Sequence, residues 1–154
     1  MRRLNGQMLT VTPFLWIQHP VDEAATFYAG LFDDGEIVSG PDVGDEMSSA
    51  TVRFNGQTLH LFNAGSQREL TEAFSLMVTC SSQAEIDRLW DALCDGGQPT
   101  MCGWVTDRFG VTWQVIPEDL QEWLSDPTRG GEVAKVMLQM QKLEMAALQA
   151  ALQA

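Results

Sequence analysis

Apolar positions along the chain follow two spacings, and the spacing changes at a few polar clusters. Thr12 to Gln18 is apolar and β-prone, ends at His19-Pro20, and predicts a buried strand. From Val21 to Phe32 the apolar residues Ala24, Ala25, Phe27, Tyr28, Leu31 and Phe32 recur at helical spacing. Asp22 and Glu23 fall in the first turn of that helix, where its dipole favours anions, and Asp33-Asp34-Gly35 stops it. A short strand at Glu36 to Ser39 and a polar loop from Gly40 to Glu46 follow. Ser49 to Phe54 and Thr58 to Phe62 then flank Asn55-Gly56, the strongest short hairpin signal.

After a linker at Asn63 to Glu69 the same order returns. Phe74 to Cys80 predicts a strand. Ser82 to Cys94 predicts a helix with Ile86, Leu89, Trp90 and Leu93 on one face and Ser81 or Ser82 as N-cap. Asp95-Gly96-Gly97 ends this helix as Asp33-Asp34-Gly35 ends the first. Cys102 to Thr106 and Val111 to Ile116 form a hairpin around Arg108-Phe109-Gly110, and Pro117 closes the core. Phe27, Tyr28 and Leu31 match Leu89, Trp90 and Leu93 at an offset of 62 residues. The hairpins match at an offset of 54, which makes His60 and Gln114 equivalents. The pattern is a duplicated βαβββ unit, which cannot bury its sheet face alone.

The tail has a different character. Glu118 to Leu124 predicts a short helix, and Glu132 to Leu152 a long one rich in good helix formers. Val133, Val136, Met137, Met140, Leu143, Ala147, Leu148 and Leu152 form its apolar stripe. That stripe must be covered by this chain or by a second copy.

Composition narrows the picture. The 154 residues are 45% apolar and carry a net charge of −12. No Lys/Arg-rich run is present, so nucleic acid and anionic membrane are excluded as expected partners. Three cysteines, without a CxxC pair, argue against a disulfide framework and for a reducing compartment. No window approaches the length of a membrane span and no apolar leader core follows the N-terminus. The expectation is a soluble, cytoplasmic α+β protein. Its domain spans 1–128, with modules at about 10–64 and 72–117, and 129–154 add a helix to the same unit.

Several of these segments together resemble the PhnB-like branch of the glyoxalase/bleomycin-resistance (vicinal oxygen chelate) superfamily. They are Thr12-Pro13-Phe14-Leu15-Trp16-Ile17, Glu23-Ala24-Ala25-x-Phe27-Tyr28, Asn55-Gly56-Gln57, Cys102-Gly103-Trp104, Asp107 to Val115, and Leu124-Ser125-Asp126-Pro127. Members are often labelled 3-demethylubiquinone 3-methyltransferases. The resemblance implies two βαβββ modules pairing into a curved, cup-shaped mixed sheet, a cavity, and a homodimer. In metal-dependent members it also implies four His, Glu or Gln ligands on the first and last strands of each module. Here the first-strand positions fall near Thr12 to Phe14 and near Phe74 and Ser75, and the last-strand positions on His60 and Gln114. Two such ligands, one a neutral amide, do not hold a divalent ion tightly, so no metal and no other cofactor is expected.

His60 shares a strand face with Phe62, and Gln114 with Ile116. A titratable imidazole and an amide on an apolar wall suit a small-molecule pocket, although a lone histidine is as often a structural one. Trp16, Trp104 and Trp113 form the next group; aromatic residues on strands are more often core, and Trp104, at a strand start, is the best candidate of the three. The candidate ligand-binding set is Trp16, His60, Phe62, Cys102, Trp104 and Gln114. No basic residue near Cys102 activates its thiol, and Asp107-Arg108-Phe109-Gly110 reads as a turn. The methyl-transfer label finds no Gly-rich loop after a first strand to support it. The first function class is therefore a metal-free small-molecule-binding protein with a hydrophobic cavity between the modules. The alternatives are an enzyme of the same fold with His60 as catalytic acid/base, and a scaffold acting through the tail helix.

Overall fold

The computed structural model describes residues 3–4, 7–43, 47–65 and 68–154. The chain divides into two compact units, Met1–Glu69 and Leu70–Ala154, so the boundary falls at the end of the linker expected at Asn63 to Glu69.

Unit 1 opens with a two-stranded antiparallel hairpin, β1 (Arg3–Leu4) and β2 (Gln7–Met8). The βαβββ module follows as β3 (Phe14–Trp16), α1 (Val21–Gly30), β4 (Glu36–Val43), β5 (Ser48–Phe54) and β6 (Gln57–Asn63). Its strand order is β3-β6-β5-β4, with β3 parallel to β6 and the other pairs antiparallel. Side chains alternate across a strand, so Ala50, Val52, Leu59 and Leu61 bury on one face, where α1 brings Val21, Ala24, Ala25 and Tyr28. The turn residues Asn55 (φ 47°) and Gly56 (φ 72°) take the paired left-handed conformation of a two-residue hairpin. The Asp34 carboxylate accepts the Asn55 N–H at 2.9 Å, tying the end of the helix to the hairpin tip.

Unit 2 repeats the plan with β7 (Ser75–Cys80), α2 (Gln83–Cys94), β8 (Gln98–Pro99), β9 (Trp104–Thr106) and β10 (Thr112–Pro117), in the order β7-β10-β9-β8. Ile86, Leu89, Trp90 and Leu93 of α2 are buried as their spacing predicts. Ser82 Oγ accepts the Glu85 N–H at 3.3 Å, and Glu85 reaches back to the Ser81 N–H at 2.7 Å, a reciprocal cap. The duplication extends to the helix stops. A side chain at Gly35 would collide with the Ala29 carbonyl, and one at Gly97 with the Leu93 carbonyl, so both turns require glycine 62 residues apart.

Four expectations change. The run at Thr12 to Gln18 is buried on one face only: Leu15 and Ile17 are buried, while Phe14 stays 54% exposed.

 The strand itself is the shorter Phe14–Trp16, and the face opposite α1 is the one left open. β4 runs on to Val43 through residues expected to be loop; as the edge of its sheet it tolerates Gly40 and a proline, with register shifts along its pairing to β5. Residues 44–46 of that expected loop lie outside the described residues. β8 is a two-residue strand too short to leave a periodic signal.

The fourth change is in the tail. After α3 (Leu120–Leu124), the long helix expected at Glu132 to Leu152 is two helices, α4 (Gly130–Met137) and α5 (Met145–Gln153). No helix breaker separates them, so tertiary bonds override propensity. The Met140 and Gln141 carbonyls accept the N–H groups of Cys102 and Gly103 at 2.8 and 2.7 Å. The Gln83 side chain donates to the Leu143 carbonyl at 3.0 Å and accepts the Met145 N–H at 2.8 Å. Part of the apolar stripe is covered within the chain: Val133, Leu143 and Leu148 bury with Leu120 and Trp123, Val136, Met137, Met140 and Leu152 pack half-buried against them, and Ala147 is exposed. Among the described residues no helix is long and apolar enough to cross a membrane.

All three cysteines are free thiols. Burial pushes the Cys80 thiol up to about 11 from 9.0, with Glu85 adding to the rise and Arg88 opposing it. An unfolded chain releases this proton from about pH 9, whereas the native one holds it until about pH 11. Native stability therefore falls as pH rises through that window. Urea midpoints at pH 8.5 and 10.5 (roughly either side of an unperturbed thiol's range) should fall more for the wild type than for Cys80→Val. Equal losses in the two proteins would remove Cys80 as a cause.

Candidate functional site

The face of the unit 1 sheet away from α1 carries the densest group of candidate residues. The parallel register of β3 on β6 sets Phe14 level with His60 and Trp16 level with Phe62. The hairpin register sets Thr51 opposite His60. Period two then places Phe14, Trp16, Thr51, His60 and Phe62 on one wall while Leu15, Leu59 and Leu61 bury behind it.

The wall is a chain of ring contacts. His60 stacks on Phe14 with centroids 5.1 Å apart and planes at 30°. Phe14 meets Phe62 at 5.3 Å, and Phe62 meets Trp16 edge-on at 4.8 Å. These spacings fall in the range of favourable aromatic pairs. The Thr51 hydroxyl lies 2.9 Å from His60 Nδ1, which fixes the ring and leaves Nε2 as the nitrogen that this contact does not use. Trp16 Nε1 is buried and has no hydrogen-bond partner among the described residues. The guanidinium of Arg68 sits 4.7 Å above the Trp16 ring, and Gln18 Nε2 holds the Arg68 carbonyl at 2.8 Å.

In unit 2 the equivalent face is plainer. Gln114 pairs with Met77 on β7 and with Trp104 on β9. Its side-chain N–H donates to Ser75 Oγ at 2.9 Å. Met77, the counterpart of Phe14, is 61% exposed, so both units present a large apolar side chain at the same position of the open face.

The structure thus gathers Trp16, His60 and Phe62 on one wall, and pairs Trp104 with Gln114. Cys102 is different: its φ is 60°, its N–H is bound by Met140, and its thiol points to the Met137 carbonyl at 3.7 Å. Those bonds dock the tail. Trp113 is core, 2% exposed, with its indole N–H on Asp107.

Phe14, Thr51 and Met77 were legible but unread, since strand periodicity and the two-residue hairpin determine their faces and partners. Arg68 carries no sequence signal, because it lies in the linker. On β7 the residue level with Gln114 is Met77, as Phe14 is level with His60 on β3. The paired positions on the first and last strands of the two units are Phe14, His60, Met77 and Gln114. A phenyl ring, a thioether and an amide beside one imidazole do not fit a tightly held divalent ion. Among the described residues, no three His, Cys, Asp or Glu side chains come together as a metal group.

Residues 9–116 match the family described as 3-demethylubiquinone-9 3-methyltransferase. The chain is 32% identical to the PhnB protein from Bacillus cereus, with 70% of this chain and 99% of that one covered and a TM-score of 0.61. It shares the fold of a Pseudomonas aeruginosa protein at 24% identity and a TM-score of 0.60, with 71% and 98% covered. A hypothetical protein from Staphylococcus aureus has the same fold at 18% identity and a TM-score of 0.52, with 71% and 94% covered. No curated protein matches significantly. Tandem βαβββ units, the matched span and the Bacillus likeness agree: the chain belongs to the PhnB-like, 3-demethylubiquinone-9 3-methyltransferase family.

Proposed function

We propose that this protein binds a small molecule against the aromatic wall of unit 1. One observation carries the reading: Phe14 is 54% exposed in the middle of a ring cluster, on the sheet face that α1 leaves open. An apolar wall with a few fixed polar groups is how small-molecule sites are built. The methyl transfer in the family's description is not part of the proposal. The two four-stranded sheets are mixed, and among the described residues neither has the parallel order and Gly-rich first turn of a nucleotide-binding crevice.

A metabolite panel read by thermal shift tests this. A ligand at about 100 times its dissociation constant adds roughly 2.7 kcal/mol to stability. The Phe14→Asp variant should melt somewhat lower, because it gives up the ring contacts to His60 and Phe62, and should lose the ligand-induced shift. A stabilising ligand whose shift survives Phe14→Asp would bind elsewhere.

A second reading rests on the Thr51 contact to His60 Nδ1 at 2.9 Å, which orients the imidazole as an acid/base requires. Under that reading a stabilising ligand is consumed by the wild type and not by His60→Gln.

A further inference from the structure

Two features of the same wall go beyond an apolar surface and deepen the proposed binding function, on which this inference rests. The first is the orphaned donor. Trp16 Nε1–H is buried and unpartnered among the described residues. A buried donor without an acceptor carries its full desolvation cost, which an incoming acceptor relieves. The second is Arg68. It is a cation in a chain of net charge −12, it makes no ion pair among the described residues, and it lies on the Trp16 ring. Its backbone is pinned by Gln18, so its place on the wall is set by unit 1 itself.

A hydrogen-bond donor and a positive charge therefore meet at one end of a surface made of ring faces and edges. We propose that the wall recognises planar aromatic oxyanions. The ligand ring packs on Phe14 and Phe62, and its charged oxygen takes the Trp16 indole N–H beside the Arg68 guanidinium. The chemistry selects against two near relatives of such a ligand. A neutral amide of the same shape satisfies Trp16 but gains nothing from Arg68, and a cation is repelled by it. Arg68 is a binding determinant here, and His60 is not required for this preference.

The test uses three probes with one ring: 2-naphthoate, 2-naphthamide and 2-naphthylmethylammonium, titrated calorimetrically into the full-length chain. The expected order is naphthoate tightest by about tenfold over the amide, with the cation weakest. Arg68→Gln should bring naphthoate down close to the amide's affinity and weaken the amide far less than the naphthoate, whereas Arg68→Lys should keep most of the preference. Trp16→Phe should weaken naphthoate and naphthamide alike, because both use the indole N–H. Added salt should weaken naphthoate alone. Equal binding of all three probes, or a preference that survives Arg68→Gln, would overturn the oxyanion inference and leave the small-molecule reading intact. Failure of all three to bind would count against both.

Discussion

Asp107→Ala is expected to cost unit 2 on the order of 4 kcal/mol, a large share of the 5–15 kcal/mol that holds an ordinary domain. The carboxylate is 3% exposed and accepts three N–H donors. Oδ1 takes the backbone N–H groups of Phe109 and Val111 at 2.9 and 3.1 Å, and Oδ2 takes the Trp113 indole at 2.9 Å. Alanine leaves all three donors without this acceptor, each at about 1–3 kcal/mol when buried. The loss falls on the β9–β10 turn, where Asp107 N–H also donates to the Val111 carbonyl and Gly110 adopts φ 85°. Asp107→Asn should cost less, since one carbonyl oxygen remains for the backbone pair while the amide N–H₂ confronts the indole. Trp113→Phe removes only the third donor, so the double variant with Asp107→Ala should lose less than the sum of the singles. Urea unfolding of the four proteins measures this. An Asp107→Ala protein within about 1 kcal/mol of wild type would show that water replaces the carboxylate at no cost.

The same residue shows where sequence reading stops. Asp107-Arg108-Phe109-Gly110 is recognisable as a turn from its types, and the turn is there. That the aspartate also carries Trp113, six residues on, depends on both side chains reaching the same buried spot, which no local pattern encodes. Local signals served well where one face decides. Asn55-Gly56 determined the hairpin, and with it the pairing of Thr51 with His60. Ile86, Leu89, Trp90 and Leu93 sat on one helix face because each turn of α2 needs one of them against the sheet. The apolar run around Phe14 misled because composition alone does not distinguish a strand buried on both sides from one whose outer side serves another purpose. Exposed Phe14 beside buried Leu15 carries that distinction, and strand period two already contained it. Arg68 was beyond reach, since its position on Trp16 comes from a linker held by Gln18.

The tail was misread for a related reason, and it supports the other large expected effect. Helices of eight and nine residues are marginal in water, so α4 and α5 owe their order to packing. Leu143, between them, is fully buried with Val133 and Leu148 against Leu120 and Trp123. It also fills the space over Gly103, where an added Cβ would come within 3.2 Å of Leu143 Cγ. Leu143→Ala should therefore cost about 2–5 kcal/mol, the range for deleting a buried leucine side chain that its surroundings cannot fully replace. Truncation after Pro127 goes further. It exposes Leu120 and Trp123 and removes the carbonyls that accept the Cys102 and Gly103 N–H groups, so the shortened protein should aggregate or melt far below the full chain. Leu143→Ala, which keeps the chain length, should stay soluble with a lowered melting temperature, and the pair of variants separates lost packing from lost chain. A truncated protein that keeps the wild-type melting temperature but halves its particle mass in light scattering would assign the tail to a subunit interface instead. Because Val133, Leu143 and Leu148 already bury within one chain, the order of the tail does not require a second subunit, and the proposal of a homodimer rests on the family resemblance.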